Sequence, residues 1–219
     1  MFIAVDGIDG AGKTTLVRQL ADLLAPLHPL CTKEPTDNSK WGQKLRSAAT
    51  EGRLPRDKEL EYFHLDRIHH LENEIKPALD AGRLVITDRY VDSTLAFQAQ
   101  TAEEADEMYE KMVGEILVPD ITFILRCPVE KGLSRVRSRD GENLTHYENE
   151  DVLNRASKIY LSRKGENYVF LDSSGSAKET LDNAVCQLVR KFSEIASSID
   201  PQKFDISVCS IYSDHHQST

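Results

Sequence analysis

The sequence predicts an α/β fold: a five-stranded parallel sheet with helices on both faces. Three observations predict it. First, runs of strand length (Phe2–Val5, Leu30–Lys33, Leu84–Asp88, Ile121–Leu125 and Tyr168–Leu171) alternate with longer segments whose apolar residues recur at helical steps. Parallel neighbours need such crossovers, and those are right-handed. Second, the first run passes through a glycine-rich turn, Gly7-Ile8-Asp9-Gly10-Ala11-Gly12-Lys13-Thr14, straight into an amphipathic helix bearing Leu16, Val17, Leu20, Leu23 and Leu24. Third, polar groups stand at the carboxyl ends of the second and third runs, as Glu34-Pro35-Thr36 and Asp88-Arg89. Open α/β sheets bind ligands at those ends.

The glycine-rich turn fits G-x-x-x-x-G-K-[ST] without a mismatch, which makes the predicted fold that of the P-loop nucleotide-binding proteins. Gly7, Gly10 and Gly12 lack a Cβ, so the backbone turns sharply and aims several N–H groups at one anion. Asp9, Ala11 and Thr15 lie in the same cradle. Lys13 reaches the β- and γ-phosphates, Thr14 is placed to ligate Mg²⁺, and the helix directs its positive end at the same point. An accidental glycine turn would lack the strand before it and the helix after it. The chain binds a nucleoside triphosphate.

At 219 residues the chain is long enough for one domain with a full core. With 40% hydrophobic and 29% charged residues it reads as a soluble globular protein. A net charge of −9 argues against a nucleic-acid binder, so Lys and Arg must be concentrated locally around the phosphates. The opening apolar run is too short for a signal peptide or a membrane span. Cys31, Cys127, Cys186 and Cys209 are widely spaced, which suggests neither a zinc site nor a disulfide framework; reduced thiols in a cytoplasmic protein are expected.

In chain order, Trp41–Thr50 is a short helix whose Trp41 and Leu45 read as core. The longest helical pattern runs from Asp57 to Ala81, with Gly82 as its cap and Pro77 bending its last turns. Phe63 and Arg67 share one face of it, and by spacing alone they read as core and solvated charge. Asp88 closes the third strand where an acid holds Mg²⁺ through its water shell in P-loop proteins, and Arg89 projects into the same crevice. Helices are expected over 93–98, 103–117, 129–139, 151–163 and 177–195. The stretch from Asp140 to Thr145 reads as a mobile polar loop, and the arginine-rich segment before it suits a lid, about 135–149, that excludes water during transfer. The P-loop domain is expected to span 1–198. In the tail, 199–219, Phe204, Ile206 and Val208 alternate as in an edge strand, and His215-His216 belongs to a frayed polar end.

Several further motifs fall in order: Asp9 within the P-loop, Glu34-Pro35, Phe63 with Asp66-Arg67 and His70, Lys76-Pro77-Ala78-Leu79, Asp88-Arg89-Tyr90 followed by Ser93, Ala96, Phe97 and Gln98, then Pro119-Asp120 and Gly132-Leu133. In these the chain resembles the thymidylate kinases over about residues 1 to 195, leaving the tail unmatched. The resemblance implies transfer of the γ-phosphoryl of ATP to dTMP with Mg²⁺, in a homodimer. It implies that Phe63 stacks on thymine, that Arg67 bonds a base carbonyl, and that Thr94 and Gln98 sit near the nucleoside. Phe97 then fills the space of a ribose 2′-OH, with Asp9 at the 3′-OH. Arg89 clamps the acceptor phosphate, and Pro35 and Lys33 lie on the acceptor side.

Three departures stand out. Lys33 replaces the Arg common before Glu-Pro, turning a bidentate clamp into a point charge. Gly10 stands where some members place a P-loop Arg. The usual lid Asp-Arg-x-Glu appears as Thr145-His146-Tyr147-Glu148, so Arg139, or else Arg135 or Arg137, must supply transition-state charge unless protonated His146 does. His64 and Leu65 are expected to crowd the base-facing helix. Two rival readings are a kinase of this fold acting on dUMP, a modified pyrimidine nucleotide or a deoxynucleoside, and a regulatory nucleotide-binding protein that transfers nothing.

Overall fold

The computed structural model describes residues 1–141, 145–199 and 201–211. Five parallel strands, β1 (Phe2–Gly7), β2 (Leu30–Lys33), β3 (Val85–Asp88), β4 (Ile121–Arg126) and β5 (Tyr168–Asp172), form one sheet in the order β2-β3-β1-β4-β5. The expected architecture is therefore present. β1 lies at the centre and is buried along its whole length, with Ile3, Ala4 and Val5 fully enclosed. Each such aliphatic side chain contributes about 1.5–3 kcal/mol on burial. From β1 the chain crosses β3 to reach β2, and from β4 it runs outward to β5. The connections leaving these two neighbours part in opposite directions and leave a crevice at their carboxyl ends. Register pairs Val5 with Asp88 and Lys33 with Asp88, so three loop mouths open side by side.

Helices cover both faces: α1 (Lys13–Leu23), α2 (Lys40–Glu51), α3 (Arg56–His70), α4 (Lys76–Asp80), α5 (Val91–Gln98), α6 (Ala102–Met112), α7 (Val129–Asp140), α8 (Glu150–Ser162) and α9 (Ala177–Lys191). Their starts follow local chemistry. The Ser39 hydroxyl accepts from Gly42 N to open α2, and Ser176 with Glu179 forms a reciprocal capping box at α9. The long pattern expected over 57–81 is one continuous path with a π turn at Leu71–Ile75 between α3 and α4. The wider turn precedes Pro77, which lacks an N–H to donate back along an α-helical ladder. The helix expected over 103–117 stops at Met112, and Glu115 and Ile116 instead donate back to the Met112 carbonyl.

Two expectations about the far end of the chain are corrected. Residues 204–207 are irregular and α10 (Val208–Ile211) is a short helix, so no edge strand forms there. Phe204 is buried in the main core and Lys203 pairs with Asp22 of α1 at 2.8 Å, which holds this segment against the sheet's helical cover instead of extending the sheet. Cys186 of α9 and Cys209 of α10 form a disulfide, while Cys31 and Cys127 are free thiols. The expectation of four reduced thiols fails for that pair because α10 packs directly on α9. His215-His216 and part of the loop after Asp140 lie outside the described residues.

Candidate active site

The turn between β1 and α1 encloses one side of a cavity of about 510 Å³. Gly12 (φ 100°) and Gly10 (φ 76°) sit in the left-handed region that only glycine occupies cheaply. Gly10 has a second constraint: a Cβ there would lie 2.1 Å from the Gly132 carbonyl oxygen, and a Cβ on Gly132 would meet the Asp9 carbonyl at 2.6 Å. The P-loop and the first turns of α7 therefore interlock glycine to glycine. That contact leaves no room for a side chain at position 10, and it brings α7, with Arg135 and Arg139, against the cradle. Asp9, Gly10, Ala11, Gly12, Lys13, Thr14, Thr15, Asp88, Arg89, Arg135 and Arg139, all read from sequence, line this cavity together. Gly7 does not; its Cβ would strike Leu125 of β4, so its constraint is packing. The far wall, Gln19, Ser173, Gly175, Ala177 and Thr180, carried no recognisable sequence signal.

At the mouth of β3, the Thr14 hydroxyl donates to Asp88 Oδ2 at 2.5 Å. Two hard oxygen donors thus stand together beside the cradle, a set that suits Mg²⁺, which takes its remaining ligands from water and phosphate. Arg89 follows with φ 73°, an uncommon conformation for a side-chain-bearing residue, held by Arg89 N to Val5 O (2.9 Å) and by the Thr87 hydroxyl on the Arg89 carbonyl (2.8 Å). The turn swings the guanidinium back over the P-loop. There it ion-pairs with Asp9, donates to Ser93 Oγ at 3.0 Å and lies 5.5 Å from the Phe97 ring centre.

Charge in this crevice is tightly coupled. Burial pulls Lys13 down, the neighbouring Arg89 lowers it further, and it settles at about 8, although Asp9, Asp88 and Asp6 pull the other way. Lys13 Nζ rests on the Ile8 carbonyl (2.8 Å). Burial raises Asp9, but Arg89, Lys13 and Arg139 outweigh it and hold its carboxyl below the ordinary range. Beneath them Asp6, fully buried and facing Asp92, is pushed up to about 7 while it accepts from Ser93, Tyr90 N and Tyr160.

A second cavity, about 220 Å³, opens on the other side of the Asp9–Arg89 pair, and both residues line it as well. Glu34, Pro35, Phe63, Tyr90, Ser93, Thr94 and Phe97 form its walls, joined by Leu45, Arg46 and Ala49 of α2 and by Thr145, Tyr147 and Glu148. Phe63 is thus a cavity wall. Arg67 is 2% exposed and no solvated charge: its Nε and Nη2 donate to Glu34 Oε2 (3.0 and 2.7 Å), and Nη2 also donates to Thr94 (2.8 Å). Gln98 is buried behind this wall. Lys33 faces elsewhere, paired with Asp37 at 2.9 Å in a neighbouring polar cleft. His64 turns toward Glu115 (3.3 Å), and neither it nor Leu65 lines the second cavity.

Family models and curated relatives agree on what this arrangement is. The thymidylate kinase model matches residues 5–184. Similar proteins include thymidylate kinases of Xanthomonas oryzae pv. oryzae, 39% identical over 186 residues covering 84% of this chain and 81% of that one, and of Xanthomonas campestris pv. campestris, 38% identical with the same coverage. That of Xylella fastidiosa is 35% identical across 84% of this chain and 88% of its own. The chain belongs to the thymidylate kinase family.

Within the family's frame, the arginines of α7 sort by geometry. Arg135 is spent on backbone: its Nη1 donates to the Gly10 and Ser173 carbonyls (3.1 Å each), and Nη2 also reaches Ser173. Arg137 is exposed and outside the cavity lining, whereas Arg139 lines the cavity from the last turn of α7 and lies 3.8 Å from Glu148. His146 is exposed and lines neither cavity. Sequence reasoning overlooked Arg46 and Tyr147 as walls of the second cavity; the apolar–basic pair Leu45-Arg46 on a helix facing Phe63 was a hint to the first.

Proposed function

We propose that phosphoryl transfer takes place across the Asp9–Arg89 pair, with ATP in the larger cavity and dTMP in the smaller. As a member of its family the chain is a nucleoside monophosphate kinase that converts dTMP to dTDP with ATP. The observation that carries the assignment of sides is that Asp9 and Arg89 line both cavities. Two anionic groups brought together there repel, and transfer needs cations around the moving phosphoryl group more than it needs a strong base.

On this reading the P-loop amides and Lys13 hold the β- and γ-phosphates, and bound phosphate favours the charged form of Lys13. Arg89 moves from Asp9 to the acceptor phosphate, and Asp9 turns to the deoxyribose 3′-OH. Arg139 supplies the late charge from the lid side. Thr14 directly, and Asp88 through water, would hold Mg²⁺, which when bound screens the β- and γ-phosphate oxygens. Phe63 stacks on the base, Arg67 stays fixed by Glu34 to meet a carbonyl, and Phe97 closes the space of a 2′-OH. The acidic balance favours free nucleotides over nucleic acid as partners. A homodimer follows from family resemblance, and light scattering tests it. No helix among the described residues is long and apolar enough to cross a membrane; a cytoplasmic location accords with the nucleotide substrates.

The test is coupled ADP release with ATP and Mg²⁺ across dTMP, dUMP, dCMP, dGMP and thymidine. Turnover led by dTMP is expected. Preference for another acceptor moves the substrate assignment, and silence throughout moves the chain to a regulatory role.

A further inference from the structure

Asp6 is the penultimate residue of β1, beneath the glycine turn, and is fully buried. It lines neither cavity. A carboxylate taken out of water costs free energy unless cations or several donors offset it. Its buried neighbour Asp92 has a cation of its own, since Arg163 Nε donates to Oδ1 at 2.9 Å. The three groups that donate to Asp6 are neutral. Tyr90 N reaches Oδ2 at 3.1 Å, while Ser93 Oγ and Tyr160 OH reach Oδ1 at 2.5 and 3.3 Å. Through Ser93 the carboxylate is one bond away from Arg89. Arg89 Nη1 donates to Ser93 Oγ at 3.0 Å, and Nη2 pairs with Asp9.

The direction of this chain is fixed by what each group can do. A guanidinium only donates, a carboxylate only accepts, and a serine hydroxyl has one proton to give. Ser93 places that proton on its short bond to Asp6, so its lone pairs are left for Arg89 and for Tyr160, whose OH lies 2.9 Å away. Asp6 also holds Tyr90 N, the first backbone donor after the left-handed turn at Arg89. One carboxylate thus grips both the root and the tip of the arginine. We propose that Asp6 is a positioning residue for Arg89: through Ser93 it keeps Nη1 anchored at the wall between the cavities while Nη2 leaves Asp9 for the acceptor phosphate. This rests on the reading of Arg89 as the clamp on that phosphate. On that reading Asp9 cannot serve as the anchor, because it releases the guanidinium in the same step. Asp6 touches no substrate, so its charge attracts the guanidinium from below without competing for the face that meets phosphate.

Asp6→Asn is close to isosteric and tests the idea. Its amide oxygen still accepts from Tyr90 N, which turns the NH₂ end toward Ser93 and Tyr160; a donor then stands where Ser93 needs an acceptor. Burial and Asp92 push the Asp6 carboxyl up to about 7, against the pull of Ser93, Arg89 and Lys13, so rates are measured at pH 8, where it is ionised. We measure kcat, KM for dTMP, KM for ATP and Tm in the wild-type chain, in Asp6→Asn, in Ser93→Ala and in the double variant. The expected result for Asp6→Asn is a fall of about tenfold or more in kcat/KM for dTMP, the scale on which small misplacements of a reacting group act. KM for ATP stays within about twofold, and Tm is not lowered, because a buried charge has been removed. Ser93→Ala alone gives the same selective fall, and in that background the Asp6 substitution costs less than about threefold more. A lowered Tm with equal losses for both nucleotides overturns the proposal, since that is what a purely structural role gives. So does a tenfold cost of Asp6→Asn that persists without Ser93, or wild-type turnover of dTMP by either single variant. The clamp reading fails separately, if Arg89→Ala turns dTMP over as fast as the wild-type chain.

Discussion

The two cavities are built in different ways. The larger takes an unbroken run, Asp9 to Leu16, from one turn and the helix it starts, whereas the smaller draws its walls from six separated stretches between Asp9 and Glu148. In the first, backbone geometry does most of the positioning: left-handed glycines, a helix start and the Gly10–Gly132 interlock hold it in shape without ligand. In the second, side chains from α2, α3, α5 and the segment before α8 converge, and buried polar pairs such as Arg67–Glu34 set their directions. A substitution in the cradle should therefore strike chemistry as a whole, and one in the acceptor wall should strike a single parameter.

Lys13→Met gives the largest effect, a loss of about 10³-fold in turnover, of the size seen when a transition-state donor is removed. It should also stabilise the fold. Burial and the neighbouring Arg89 bring Lys13 to about 8 in the fold, against an ordinary lysine value of 10.5. Between those values the unfolded chain holds more protons, so stability rises with pH across that window and charged Lys13 is a cost below it. Thermal unfolding at pH 7 should show a higher Tm for Lys13→Met, with the pH slope between 8 and 10.5 reduced; a lower Tm breaks the picture of a strained cradle.

Arg89→Ala comes next, because it is the residue both cavities share. It should lower kcat by about 10²–10³-fold and weaken dTMP binding, while ATP binding measured by fluorescence titration stays within a few-fold. Equal loss of both ligands would make the pair a structural strut. Phe63→Ala sharpens the contrast: loss of a base–aromatic stack is worth about 1–3 kcal/mol, read as a higher KM for dTMP with KM for ATP unchanged. The smallest effects lie in the lid. Arg139→Ala should slow kcat about tenfold, within the range expected of one transition-state cation, and His146→Ala should leave it within about twofold. The reverse order would return the lid role to His146.

Legibility followed the same division. The cradle residues were readable because spacing along one turn is spacing in space. The strands were readable from their brevity and from the breaks between them. α5 shows where that stops: all eight of its residues are buried, Asp92, Thr94 and Gln98 included, so it has no polar face for periodicity to reveal. Phe63 and Arg67 defeated spacing in another way, since a helix face can bury a guanidinium when Glu34, Thr94 and the Tyr90 ring wait 23 to 33 residues away. Only resemblance pointed them toward the site. Arg46 and Tyr147 reach the second cavity only through packing, and neither was assigned a role by spacing or by resemblance.

The sequence by itself determined the number and kind of the five strands, the phosphate cradle, and the acid and arginine at the end of β3, because each depends on neighbours along the chain and on backbone conformations that few residue types adopt. Tertiary structure decided which arginine of α7 faces the cradle, that Lys33 turns away, that Cys186 meets Cys209, and that Gln98 donates to the buried Glu59. Those facts depend on distances between residues far apart in the chain, where only packing and the need to pair every buried charge settle a side chain's direction.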